Sequence, residues 1–212
     1  LAVHAAGRPD SPLQLAAAIA AGDLDAKALK TFLDGLDRFA LRDALAAAVA
    51  RGGADLPTLA TAGQFAPLLD ALLGPAGLDC AERPKGVLAF HREGAEVRTA
   101  FEEHLVECAA TVRASDGTCR LHLTVSPAHR ALFDAVLDRA RRGLEARLGV
   151  HFEVTFSAQA PSTDTLATDG EGRPWREPDG SLLLRPAGHG ALIRNLDALG
   201  GDLAFVKNID NV

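Results

Sequence analysis

Cys119-Arg120-Leu121-His122-Leu123-Thr124-Val125-Ser126 alternates apolar and polar side chains and then meets Pro127. A period of two is that of a β-strand, whose successive side chains point to opposite faces of a sheet. Pro127 opens a helical pattern that runs to about Leu148, because the first helical turn needs no N–H from the residue that begins it. His151-Phe152-Glu153-Val154-Thr155-Phe156-Ser157 then alternates again. Strand, long helix and strand make the repeating unit of a parallel sheet. The fold class expected from this stretch is α/β, with a mixed, mainly parallel sheet. Sheets of that kind take ligands outside the carboxyl ends of their strands.

On the amino side, residues 99–113 read as a helix with Phe101, Leu105, Cys108 and Val112 on one face, and residues 87–91 as a short apolar strand. On the carboxyl side comes a loop rich in Pro, Ser, Thr, Asp and Gly, with a hairpin around Pro178-Asp179-Gly180. A helix is expected over 190–199 and an apolar strand over 203–207. Residues 1–78 carry helical spacing only. Ser11-Pro12 reads as a cap leading into residues 13–21, Leu29, Phe32, Leu33 and Leu36 fall on one face of residues 25–37, and further helices are expected over 39–50 and 64–73. The expected organisation is therefore a helical segment over 1–78, as an insertion or attachment, followed by an α/β domain over 79–212.

Composition narrows the function. The 212 residues are 48% hydrophobic and 24% charged, which is globular rather than disordered composition. A net charge of -6 removes any electrostatic case for nucleic-acid or anionic-membrane binding. No apolar run approaches the ~20 residues that span a bilayer. Cys80, Cys108 and Cys119 are odd in number and form no CxxC pair, which argues against a disulfide scaffold or zinc ribbon and for a reducing cytoplasmic location. Methionine is absent throughout, so the stretch is expected to be an internal piece of a longer protein.

Three motifs carry chemistry. In Arg83-Pro84-Lys85-Gly86-Val87-Leu88, a lysine at a loop edge ahead of an apolar run can hold a phosphate as a point charge; a lysine in a solvated turn reads the same way. In Arg185-Pro186-Ala187-Gly188-His189-Gly190-Ala191-Leu192, two glycines permit close backbone approach, and the helix start offers free N–H groups to an anion; a tight loop with a surface histidine is the plainer reading. In Phe205-Val206-Lys207-Asn208-Ile209-Asp210-Asn211, an apolar strand ending in Asp presents a carboxylate at a sheet edge. One carboxylate plus substrate phosphates is how Mg²⁺ is usually held; the plainer reading is an Asx turn.

In this order the motifs resemble those of sugar-1-phosphate nucleotidyltransferases, and a Gly-His-Gly loop is a feature of the UDP-sugar pyrophosphorylases. Residues 80–212 look most like an uncharacterised bacterial family of nucleotidyltransferase-like proteins related to those enzymes. Besides the three motifs, the likeness rests on Arg98-Thr99-Ala100-Phe101-Glu102-Glu103-His104-Leu105, Thr124-Val125-Ser126-Pro127 and Pro161-Ser162-Thr163-Asp164-Thr165. It implies a Rossmann-like nucleotidyltransferase domain and the reaction of a nucleoside triphosphate with a sugar 1-phosphate to give a nucleotide sugar and pyrophosphate. Lys85 and Asp210 would be the catalytic residues, with Asp210 holding Mg²⁺. Gly188, His189, Gly190, Thr163, Asp164, Asn208 and Glu103 would contact substrate. The Gly-rich triphosphate loop that such enzymes place upstream has no counterpart here: Gly52-Gly53 follows a helix, and no Gly-x-Gly precedes Lys85. The piece is therefore expected to be inactive by itself, and a non-catalytic nucleotide-sugar-binding or regulatory module is the alternative.

Of the remaining polar groups, His122 and His129 flank a strand–helix junction, and no histidine pair shares a helix with a third ligand in view, against a zinc site. Glu102, Glu103 and Glu107 read as a solvated helix face, with Glu103 also able to support Arg98. Cys108 reads as core. Glu145 reads as a surface residue of the long helix, whose replacement leaves activity unchanged.

Overall fold

The computed structural model describes residues 9–209 and Asn211. The chain divides into two units, 1–103 and 104–212. In the first, α1 (Pro12–Ala20), α2 (Leu24–Asp34), α3 (Arg42–Arg51), α4 (Leu56–Ala62) and α5 (Phe65–Leu73) follow one another through short turns. Ser11 caps α1 by accepting from the Gln14 N–H, Asp23 caps α2 by accepting from Asp25 and Ala26, and Asp55 caps α4 by accepting from Thr58. Each cap satisfies a donor that the first helical turn leaves unpaired. Leu36, Leu45, Val49, Leu56, Leu59, Leu68 and Leu72 form one core, and Leu15, Ala26, Leu29 and Phe65 a second. The helical reading of this stretch holds, and α4 is an additional helix. Gly63 adopts φ +75°, and a Cβ there would lie 2.3 Å from Pro12 Cδ. Conformation and space both demand glycine at this turn.

The first unit also holds a hairpin, β1 (His91–Glu93) paired antiparallel with β2 (Glu96–Arg98). The strand expected over 87–91 is not formed: Lys85–Val87 is a single 3₁₀ turn, and Val87 is buried. Its apolar side chain goes to packing, without a neighbouring strand to pair with.

α6 (Ala100–Thr111) begins on a reciprocal cap. The Thr99 N–H and hydroxyl both donate to Glu102 Oε2, and the Glu102 N–H donates back to Thr99 Oγ1. This is the T-x-x-E capping box, and it assigns Glu102 to the helix start rather than to a solvated face.

In the second unit β3 (Thr118–Thr124) and β4 (His151–Ser157) pair in parallel from Thr118↔His151 to Thr124↔Ser157, connected through α7 (Arg130–Leu148). Alternation sorts the side chains as expected. Cys119, Leu123 and Phe152 are buried on one face, while Arg120, Glu153 and Thr155 lie on the other. α7 buries Phe133, Val136, Leu137 and Leu144. The joint between α7 and β4 is ionic. Glu145 Oε1 accepts from the Phe152 N–H at 2.8 Å and from Arg141 Nε at 3.0 Å, with His151 Nδ1 at 3.2 Å. Arg141 in turn donates to the Phe152 carbonyl. Glu145 is thus no neutral surface position. Burial pushes its carboxyl up, but the Phe152 N–H and Arg141 outweigh this and hold it below the usual glutamate range.

Beyond β4, β5 (Thr165–Leu166) and β6 (Leu184–Arg185) pair antiparallel and enclose the expected hairpin, with Gly180 N–H donating to Glu177 O and a bridge from Arg176 to Leu182. A 3₁₀ turn over His189–Leu192 leads into α8 (Ile193–Asp197). The strand expected over 203–207 is absent: residues 203–208 have no regular structure, and Leu203, Phe205 and Val206 are 81%, 67% and 74% exposed. The mixed α/β class stands, but the expected single, mainly parallel sheet does not: the described residues form three separate two-stranded sheets, two of them antiparallel, because the short strands of β1/β2 and β5/β6 pair only within their own hairpins. β3/β4 is the one parallel pairing among the described residues, and no helix among them is long and apolar enough to cross a membrane.

Candidate functional site

The polar face of β3 and β4 is a ladder set by register. Arg120 Nε donates to Glu153 Oε2 at 2.8 Å, His122 Nδ1 lies 2.7 Å from Thr155 Oγ1, and Thr124 Oγ1 lies 3.2 Å from Ser157 Oγ. His122 also bridges diagonally, with Nε2 2.8 Å from Ser157 Oγ. From α8, Asn195 Nδ2 donates to Ser157 Oγ at 2.7 Å and to the Ala158 carbonyl at 2.9 Å. Burial pushes the His122 pKa down. The ring is then neutral near pH 7, with one nitrogen donating and the other accepting. Ser157 Oγ thereby sits among an imidazole, a hydroxyl and an amide.

Of these groups His122, Thr155, Ser157 and Asn195 line a groove of about 400 Å³ at the carboxyl ends of β3 and β4. Ala158 and Ala160 from the loop after β4, and Ala198 and Leu199 from the end of α8, form its apolar wall. Arg194 adds a cation, and none of the lining residues is acidic. The position is the one where open α/β sheets bind ligands. No groove residue was among the sequence-derived candidates. The signal was nonetheless present: two alternating strands carry Arg, His and Thr at 120, 122 and 124, and Glu, Thr and Ser at 153, 155 and 157.

The sequence-derived candidates fall elsewhere. Lys85 is exposed at the start of its 3₁₀ turn, in the first unit. Glu103, also in the first unit, is engaged by Arg98. That buried guanidinium donates to Glu103 at 2.5 Å, to Glu96 at 2.8 Å and to Glu93 at 3.0 Å, and the hydrogen bond to Glu96, with the other carboxylates, holds it in the charged form. Glu103 therefore ties the β1/β2 hairpin to the start of α6. In the second unit, Thr163 donates to the Ala160 carbonyl at 2.6 Å, and Asp164 accepts from Gln159 at 3.2 Å; both shape the loop that follows β4. Gly188 and Gly190 have open space where a Cβ would be, and Gly188 is extended at φ -68°. Neither is required by local packing. Exposed His189 opens the turn that leads into α8, the helix that brings Arg194 and Asn195 to the groove.

Asn208 is exposed, and its carbonyl accepts from the Asn211 N–H at 3.1 Å. Asp210 lies outside the described residues. The approach to it is anchored on α6: Lys207 Nζ donates to Glu107, and His104 Nε2 lies 3.1 Å from the Ile209 carbonyl. His104 Nδ1 is 3.4 Å from Glu107. The Lys207 hydrogen bond holds the Glu107 carboxyl below its ordinary range. The α6 polar face is thus a docking strip for residues 207–209. Among the described residues no three His, Cys, Asp or Glu side chains converge as a metal site. Mg²⁺ needs only one or two carboxylates beside substrate phosphates, so the expectation rests on Asp210.

Comparison with known proteins places the chain in a family. The family model described as a domain of unknown function (DUF4301) matches residues 14–212, and the chain belongs to that family. No curated protein and no solved structure matches it.

Proposed function

We propose that the protein carrying this chain is a sugar-1-phosphate nucleotidyltransferase and that the chain supplies part of its substrate site. The observation that carries this reading is the parallel β3–α7–β4 unit with hydroxyl, amide, imidazole and guanidinium groups gathered at its carboxyl end. The motif order from Pro84-Lys85 through Gly188-His189-Gly190 to Lys207-Asn208-Ile209-Asp210 supports it. In the reaction an oxygen of the sugar 1-phosphate attacks the α-phosphorus of the nucleoside triphosphate, the bond to the bridging oxygen breaks, and pyrophosphate leaves. The substrate is its own nucleophile, so the protein contributes position and charge. Lys85 would hold a phosphate oxygen, and the turn over 188–190 would offer backbone N–H groups to base or sugar. α6 would keep residues 207–209 in place ahead of Asp210. Mg²⁺ held by Asp210 would neutralise charge on the triphosphate.

The test is pyrophosphate release by the full natural gene product with Mg²⁺, across a panel of nucleoside triphosphates and sugar 1-phosphates. Release with at least one pair is expected. Binding of nucleotide sugars in calorimetry without any release would replace the enzyme by a binding or regulatory module.

A further inference from the structure

The groove over β3, β4 and α8 has a lining whose chemistry selects a ligand. We infer that it is a binding site for a monosaccharide phosphate, with Arg194 on the phosphate, Thr155 Oγ1 and Asn195 Oδ1 on the sugar hydroxyls, and His122 and Ser157 holding those two side chains in place. Four features of the structure support this. With no acid in the lining, and Arg194 as its cation among the described residues, the groove prefers an anion. The Thr155 hydroxyl has capacity to donate or accept beyond His122, and Asn195 Oδ1 accepts, which suits sugar hydroxyls; a purely anionic ligand would ask for donors alone. Ala158, Ala160, Ala198 and Leu199 present a small apolar wall of the kind that meets the C–H face of a sugar ring. A volume of about 400 Å³ lies at the low end for small-molecule sites, which suits one phosphorylated ring rather than a dinucleotide.

The polar groups are held in place before any ligand arrives. Asn195 is fixed by its bonds to Ser157 and to the Ala158 carbonyl, and His122 is fixed at both ring nitrogens. Such fixing lowers the ordering cost of binding. The choice of a sugar phosphate over other phosphorylated polyols rests on the function proposed above; the preference for an anionic, hydroxylated ligand does not.

The experiment is calorimetry on the 212-residue chain with glucose 1-phosphate, glucose and inorganic phosphate as separate probes, together with amide chemical-shift mapping. Glucose 1-phosphate is expected to bind more tightly than either fragment and to shift the amides of Ser157, Ala158 and Asn195. Arg194→Ala, at an exposed position that the fold does not need, is expected to weaken it by about tenfold or more, while Glu171→Ala leaves it unchanged. Absence of binding, shifts confined to other residues, or full affinity in Arg194→Ala would overturn the site. Inorganic phosphate binding as tightly as glucose 1-phosphate would overturn the sugar half of the assignment. A groove that binds glucose 1-phosphate in a gene product that releases no pyrophosphate would leave this inference standing and remove the nucleotidyltransferase reading.

Discussion

Residues 118–157 and residues 158–209 lie side by side in sequence and are built in opposite ways. The first stretch is two seven-residue strands and a nineteen-residue helix, with Cys119 and Phe152 fully buried and the α7–β4 joint closed by Glu145 and Arg141. The second is two two-residue strands, two bridges and a five-residue helix, and Trp175, Leu184, Ile193, Leu203, Phe205 and Val206 are each more than half exposed. Both stretches are rich in apolar residues. Only the first spaces them so that one face can be buried, and only there do backbone groups find long ladders. The lesson is that apolar content does not make an element: periodicity and a pairing partner do.

The contrast breaks most visibly under core truncation. Phe152→Ala should cost roughly 3–5 kcal/mol, because a fully buried ring is replaced by a cavity. Phe205→Ala, at a 67% exposed ring, should stay within about 0.5 kcal/mol. Urea unfolding of the two variants measures the difference, and equal losses would erase the distinction between the stretches. Next in size is Glu145→Ala, which leaves the Phe152 N–H and the Nε of Arg141 without their acceptor and should cost on the order of 1–3 kcal/mol. Because the folded-state pKa of Glu145 is lowered, its contribution is fully present above the ordinary glutamate range and is lost as pH falls through the folded value. The stability difference between wild type and Glu145→Ala should therefore shrink on acidification. A difference independent of pH would show that the carboxylate charge is not what closes the joint.

A smaller and more local effect concerns the strip on α6. Glu107→Gln removes the charge that engages Lys207, so hydrogen exchange at residues 207–209 should speed up while global stability changes by less than about 1 kcal/mol. Glu107 also titrates below its ordinary range. The docking is present at neutral pH and should be lost as pH falls through that lowered value, with the same exchange signature. Unchanged exchange in both experiments would mean that residues 207–209 are held by something other than this pair.

The same contrast explains which parts of the molecule could be read from sequence. The β3–α7–β4 unit, α6 and four of the five amino-terminal helices are carried by periodic runs bounded by Pro, Gly, Ser or Asp, all local signals. The run Leu203-Ala204-Phe205-Val206 has strand composition and no strand, since pairing depends on a neighbour that composition does not encode. Val87-Leu88-Ala89 failed likewise: an apolar run served packing instead of a ladder. The groove escaped because its groups are 35 and 38 residues apart across the His122–Ser157 and Ser157–Asn195 hydrogen bonds. Each group looks ordinary by itself, and register alone brings them together. Glu145 escaped for the related reason that an exposed-looking carboxylate shows its partner, the Phe152 N–H, only in the fold, whereas the support of Arg98 by Glu103, five residues away, was legible.

The metal site proposed for nucleotidyl transfer stands or falls most directly on Asp210→Ala in the full natural gene product, assayed by Mg²⁺-dependent pyrophosphate release beside wild type and Glu171→Ala. If Asp210 holds the metal at the triphosphate, turnover should fall by about a hundredfold or more with only a modest change in KM, and Glu171→Ala should match wild type. Near wild-type turnover in Asp210→Ala would contradict the metal role of this residue and the site built around it.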